Sequence, residues 1–235
     1  MLDNFNPALF AAALIPLLFS ITVHEMAHAW MANRCGDATA KMLGRITFNP
    51  AKHIDPIGTL LVPLLLWIGS NGTFTFGWAR PVPVNYRNFK SLQRDIGLVA
   101  LAGPVSNVVM ALSWAFYLHF LVILANHNII DLFYQTNAGM VLRSDGIIGG
   151  IIMMCYFGII INLSMAIFNM IPIPPLDGSK VLMSRLPPHL ADKYASLERF
   201  GFIIIIALSY TSILSLVIVP IIRFFSGLLL RFTFL

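Results

Sequence analysis

Apolar residues in this chain are gathered into long runs separated by short polar stretches. Four runs are about the length that a membrane-spanning helix needs: 8–23 continuing into 24–32, 96–124, 147–172 and 200–222. A shorter run, "IGTLLVPLLLWIG" at 57–69, would be about 20 Å long as a helix and falls short of the hydrocarbon core. It predicts a re-entrant or interfacial segment. The following "NGTFTFGWARPVPVN" alternates apolar and polar residues around Gly and Pro, which predicts short membrane-associated strands over 71–86. The C-terminal "RFFSGLLLRFTFL" fits either an interfacial helix or a short extra span. The fold class expected is an all-α polytopic membrane protein with about four to six transmembrane helices, a re-entrant segment and short strands. The whole of 1–235 reads as one integral-membrane domain, with a catalytic core over about 8–186 and a C-terminal helical region over 197–235.

Composition agrees with a bilayer environment. Of the 235 residues 58% are hydrophobic and 11% charged, against about a quarter charged in soluble domains. The mean hydropathy is +0.81. The net charge of +5 does not point to nucleic acid, because the basic residues sit in the loops between apolar runs. Segments 33–94 and 173–199 are rich in Lys and Arg, whereas 125–146 has only Arg143 against Asp131 and Asp145. The basic segments mark the cytoplasmic side and 125–146 the outside. A crossing at 57–69 would put one basic flank outside, which argues against it. Asp3 stands where a secretory signal would be basic, so no cleavable signal is expected. Cys35 and Cys155 are too few for a disulfide framework; Cys155 is expected to be buried and Cys35 to lie in a loop.

The first apolar run ends in "HEMAH", residues 24–28. On a helix, positions i and i+4 share a face, so His24 and His28 can hold one metal ion while Glu25 serves as a base for water. With six His and two Glu in the chain, composition alone yields this pattern roughly once in a thousand such sequences. The bland alternative is buried polar glue between helices. Ionisable residues inside a membrane are costly, and that favours function.

Two histidines leave a catalytic site one protein ligand short. His119 and His127 lie toward the other end of their helix. His53 and His189 read as solvated loop residues. Asp177 fits best: "NMIPIPPLDGSK" closes the third spanning run on the same side as the histidines, and its prolines end the helix. Irregular backbone at membrane depth is tolerated where it lines a cavity or is buried in protein. An ordinary helix-end turn is the alternative for "LDG".

Together, "HEMAH" and "NMIPIPPLDG" resemble the site-2 protease family of intramembrane zinc metalloproteases, peptidase family M50, in its compact bacterial form. The second stretch matches the family's N-x-x-P-x-P-x-x-D-G pattern, and "LAGPVSN" at 101–107 resembles its G-P-x-x-N element. "LGRITFNPAKHIDPIGT" and "FGWARPVPVN" also look like the compact members. The resemblance implies one zinc ion per chain held by His24, His28 and Asp177, with Glu25 as general base. It implies that Asn169 lies at the site as an oxyanion or substrate-backbone donor, and that Asn107 is a substrate contact; a small-residue helix contact around Gly103 explains "GPVSN" almost as well. The implied enzyme is a multi-pass protein of the cell membrane. It cleaves transmembrane substrates near the cytoplasmic face, in contact with the lipid bilayer and with a regulatory membrane partner.

Other readings are a different membrane metallohydrolase, a metal-binding or metal-transport protein without peptidase activity, and an inactive scaffold. A prenyl-protein protease would need a third ligand glutamate, for which only Glu198 is available. A transporter would want ionisable residues in several spans, and the other spans are nearly free of them.

Overall fold

The computed structural model describes residues 7–69, 77–130, 133–136, 139–142, 146–211 and 213–234. Helix α1 (Pro7–Cys35) is followed by the short α2 (Thr39–Met42) and a 3-10 turn at Pro50–Lys52. A π-helical stretch, Pro56–Leu61, continues directly into α3 (Val62–Gly69). Next come a 3-10 turn at Tyr86–Asn88, α4 (Leu92–Asn126), and a hairpin of β1 (Phe133–Thr136) and β2 (Gly139–Leu142). The remaining elements are α5 (Gly146–Asn169), α6 (Asp177–Met183), α7 (Pro188–Ala195), α8 (Glu198–Tyr210) and α9 (Ile213–Thr233).

Among the described residues, four helices are long and apolar enough to cross a membrane: Ala11–Cys35, Leu92–Asn126, Gly146–Asn169 and Leu214–Thr233. The first three form a central bundle in which α4 packs on both α1 and α5, and α1 on α5. Ala111 and Ala115 of α4 are buried against Ile152, Cys155 and Ile159 of α5. Small side chains at such a seam let the helix backbones approach, which is how helices associate when lipid removes the hydrophobic drive. Helix α9 lies on α4 and α5, with Leu229 and Leu230 on the same core and Phe232 edge-on to Phe116.

Several expectations need correction. The 57–69 run is continuous helix with no chain reversal among the described residues, so a re-entrant path has no support. Its start is written in the sequence: Asp55 caps the N–H groups of Ile57 and Gly58, and Pro56 takes the first helical position. Strands expected over 71–86 are absent from 77–85, and 71–76 lie outside the described residues. Pro81 and Pro83 supply the alternation but lack the N–H a ladder requires. The one hairpin among the described residues is antiparallel, pairing Phe133 with Leu142 through Thr136 with Gly139.

The fourth span is also displaced. The 200–222 run is broken between α8 and α9, and the spanning helix is 214–233. Cys35 is the buried last residue of α1 rather than a loop residue, while Cys155 is buried as expected. His53 is fully buried, and its Nε2 contacts the Thr47 carbonyl at 3.0 Å.

The loop after α1 is tied to the start of α4 by Asp37. Its carboxylate accepts the Asn85 N–H at 2.8 Å, the Asn88 amide at 2.9 Å and the Thr39 hydroxyl. Burial pushes this carboxyl up, but the hydrogen bonds outweigh it and hold it below the usual range.

Candidate metal centre

His24 and His28 lie on one face of α1, with their Nε2 atoms 3.0 Å apart and the rings edge to face. Asp177, the first residue of α6, sends Oδ2 to 3.2 Å from each Nε2. These three residues form a group whose ligand atoms all fall within 4.8 Å of one another. All three are buried or nearly so, and Asp177 Oδ2 has no hydrogen-bond partner among the described residues.

Helix α4 supports the histidines through one stripe of residues spaced by four. The Val99 carbonyl lies 2.7 Å from His28 Nδ1, and Asn107 Oδ1 lies 2.5 Å from His24 Nδ1. Between them, Gly103 leaves a gap: a Cβ there would sit 2.3 Å from His28 Nε2 and 2.6 Å from His24 Cε1. Only a residue without a side chain lets α4 close on the pair. Gly178 does the same for Asp177, since a Cβ there would lie 2.2 Å from the Met170 carbonyl oxygen. The chain can therefore turn back onto the end of α5 and present Asp177.

Hydrogen-bond direction places a proton on Nδ1 of both rings. A carbonyl only accepts, so His28 Nδ1 carries a proton, and in the neutral ring its Nε2 is a lone pair. For His24 the argument runs through three buried side chains. The Gly158 carbonyl at 2.8 Å makes Asn162 Nδ2 a donor and turns Asn162 Oδ1 toward Asn107. That oxygen takes the Asn107 Nδ2 proton at 3.0 Å, and Ser20 Oγ joins both amides at 2.8 and 2.9 Å. Asn107 Oδ1 then faces His24 Nδ1 and can only accept, so His24 Nδ1 also carries a proton, and in the neutral ring its Nε2 is a lone pair. With both rings neutral, two imidazole lone pairs and a carboxylate oxygen converge on one point. Such a set repels itself unless a proton or a metal cation sits among it.

Glu25, half-buried beside His24, accepts the Val82 N–H at Oε2, 3.1 Å away. Lys180 Nζ stands 3.9 Å from the other oxygen of Asp177. Asn169 ends α5 and bonds back to its own helix, Nδ2 to the Met165 carbonyl at 3.0 Å; it makes no hydrogen bond to the three clustered residues among the described residues. Asn107 lies against His24 and is completely buried, with its amide engaged on both sides. Sequence reasoning missed Ser20 and Asn162. Ser20 precedes His24 by one turn, and Asn162 is a lone amide in "IIINLSMAIF", so both carried the mark of polar residues inside an apolar run.

Comparison with known proteins adds the family. The model of peptidase family M50 matches residues 12–208, a stretch that contains every one of these side chains. The chain belongs to peptidase family M50. The site-2 protease resemblance of its motifs is thereby borne out, and as an M50 member the chain is a metalloendopeptidase and a multi-pass membrane protein. It is 39% identical over 208 residues to YwhC of Bacillus subtilis, provisionally named a zinc metalloprotease, covering 88% of this chain and 83% of that protein. It is 26% identical over 217 residues to Rip2 of Mycolicibacterium smegmatis, named in the same provisional way, covering 91% and 73%. A more limited match joins it to the regulator of sigma-E protease RseP of Escherichia coli: 33% over 118 residues, 48% of this chain and 25% of that one. No solved structure matches.

Proposed function

We propose that this M50 member is an intramembrane zinc endopeptidase that hydrolyses peptide bonds of transmembrane proteins near the cytoplasmic face, as a single domain holding one zinc ion per chain. The observation that carries the reading is the convergence of His24 Nε2, His28 Nε2 and Asp177 Oδ2. Zinc bonds of about 2.0–2.1 Å at tetrahedral angles put neighbouring ligand atoms about 3.3 Å apart. The three separations are 3.0, 3.2 and 3.2 Å. Two imidazoles and a carboxylate also form a donor set typical of catalytic zinc, which keeps a fourth position open.

When bound, zinc would polarise the scissile carbonyl and make water acidic at neutral pH. The rest is done by the protein's own groups. Glu25 takes the proton of the attacking water and delivers it to the leaving amine. Asn169 is assigned as donor to the substrate carbonyl, turning its Nδ2–H from Met165 to do so. Asn107 holds His24 in the tautomer that frees Nε2; with its amide fully engaged, it is not assigned to substrate. Positive residues at 33–94 and 173–199 support placing the site toward the cytoplasm. A transport reading would want further ionisable clusters along the spans. Among the described residues His24, His28 and Asp177 form the metal-capable group.

Metal removal tests the reading. Protein purified in detergent should hold zinc, lose cleavage of a model transmembrane substrate after chelation, and regain it when zinc is restored. Full cleavage by the metal-free protein would refute it.

The ring-orienting amides give a second test. Asn162→Leu removes the Oδ1 acceptor that holds Asn107 and Ser20, at a site that does not touch the ligand atoms. Outer-shell partners typically contribute 10–100-fold to metal affinity. Zinc affinity, read by competition with a chromophoric chelator, should fall by about that factor, with helix content unchanged. Parental affinity in Asn162→Leu would show that the amides do not set the His24 ring.

A further inference from the structure

The chain from Trp78 to Val82 forms a strap against Glu25 of α1 whose fixings the ligand set does not explain. Trp78 donates its N–H to the Gly58 carbonyl at 3.0 Å and accepts the Thr59 hydroxyl at 2.8 Å. Two residues on, Arg80 donates its N–H to the His53 carbonyl at 2.9 Å. Arg45 holds the strap from beneath: its Nη2 donates to the carbonyls of Arg80 at 2.6 Å and Pro81 at 3.3 Å. The next residue, Val82, donates its N–H to Glu25.

Two features mark this arrangement as more than loop packing. First, "RPVPV" leaves one backbone donor between Arg80 and Val84, because Pro81 and Pro83 have none. That single N–H is spent on the Glu25 carboxylate. Second, Arg45 is only 6% exposed, lacks an ion-pair partner among the described residues and leaves Nε without a hydrogen bond. Burying a guanidinium on carbonyl oxygens alone is costly. A hydrophobic residue would brace a loop at lower cost, whereas the fork sets two consecutive carbonyls and with them the direction of the N–H that follows. Its charge also attracts that of Glu25.

We propose that the strap Trp78–Val82, clamped by Arg45, is a positioning element for Glu25: the Val82 N–H anchors one carboxylate oxygen so that the other is presented to the attacking water. Arg45 is a positioning residue, acting through the strap. The inference rests on Glu25 being the general base. It assigns a role to the "GR" of "LGRITF" and to the proline alternation of "ARPVPVN", which the metal site leaves unused.

The test uses the full-length zinc-loaded protein and a transmembrane model substrate. Val82→Pro removes the one N–H within a run already rich in proline. Arg45→Met removes the fork and keeps the bulk, and Arg45→Lys restores a charged donor. Small misplacements of catalytic groups can lower rates a hundredfold. Val82→Pro and Arg45→Met should each lower kcat by about ten- to a hundredfold, with KM and zinc content unchanged. Arg45→Lys should recover part of the loss. In a Glu25→Gln background neither substitution should slow the residual reaction further, since residues acting through one group are not additive. Parental kcat in Val82→Pro overturns the proposal, as does a further fall in the Glu25→Gln background. Loss of zinc or of thermal stability in both variants makes the strap a structural brace and also overturns it. If Glu25→Gln itself cleaves at the parental rate, the base assignment fails, and the strap's role falls with it.

Discussion

Glu25→Gln should keep its zinc and still bind substrate, while peptide hydrolysis falls by on the order of a hundredfold or more. Neighbouring helical residues project about 100° apart, so Glu25 flanks the face that His24 and His28 share rather than sitting on it. Its place in the site is beside the ligand atoms, and its carboxylate is held by the Val82 N–H. Glutamine has the same size, and its carbonyl oxygen can accept that same N–H. What it lacks is basicity: it cannot take the proton of water. General-base catalysis contributes about 10²–10⁴-fold, and the loss should fall in that range. Glu25→Asp keeps the charge but withdraws it by one methylene, leaving a small residual rate. Zinc content and kcat measured on the same preparations decide the matter. A metal-binding or transport protein has no use for a proton acceptor at that position. Cleavage by Glu25→Gln at the parental rate would therefore rule out the mechanism.

How far the sequence disclosed this site depends on how locally each part is encoded. His24, Glu25 and His28 fall within little more than one turn, so their spacing alone carries the geometry. Asp177 could be found because "PIPPLDG" announces an irregular helix end on the same side as the first motif. The partners that orient the rings are encoded at a distance. Ser20, Asn107 and Asn162 meet from three helices, and the Ser20–Asn162 pair is 142 positions apart. Nothing in a linear pattern tells which buried amide faces which. The Gly103 gap is likewise meaningful only once α4 lies on α1.

The misreadings have local causes. The alternation in "ARPVPVN" suggested strands, but its period comes from prolines, which cannot build a ladder. The last span was set too early because 200–222 carries no formal charge; the polar cluster "SYTS" at 209–212, where α8 gives way to α9, was the overlooked sign. At 57–69 the short length and basic flanks suggested a re-entrant or interfacial segment, and the Asp55–Pro56 pair, which marks a helix start, was the overlooked sign.

Asp177→Ala should remove both metal and activity, and the comparison with Asp177→Asn separates charge from shape. Asp177 supplies the one anionic donor of the three, and its Oδ2 has no hydrogen-bond partner among the described residues. A carboxylate oxygen kept unpaired while buried costs several kcal/mol unless a cation compensates it. The position is also held by design of the backbone, since Gly178 lets the chain fold against the Met170 carbonyl. Alanine leaves two imidazoles, one ligand fewer than catalytic zinc sites ordinarily have. Its affinity loss should exceed the 10–100-fold expected for Asn162→Leu, because a ligand has been deleted rather than its support. Asparagine keeps an oxygen in place without the charge, so zinc should bind more weakly than in the parent and more tightly than in Asp177→Ala. Both substitutions should preserve the helical content of the protein, because α6 lies packed on α4. The order parent, Asp177→Asn, Asp177→Ala in zinc affinity, with cleavage lost in step, is the expected result. If Asp177→Ala holds zinc as tightly as the parent and still cleaves, Asp177 is no ligand, and the third donor must be sought elsewhere in the chain.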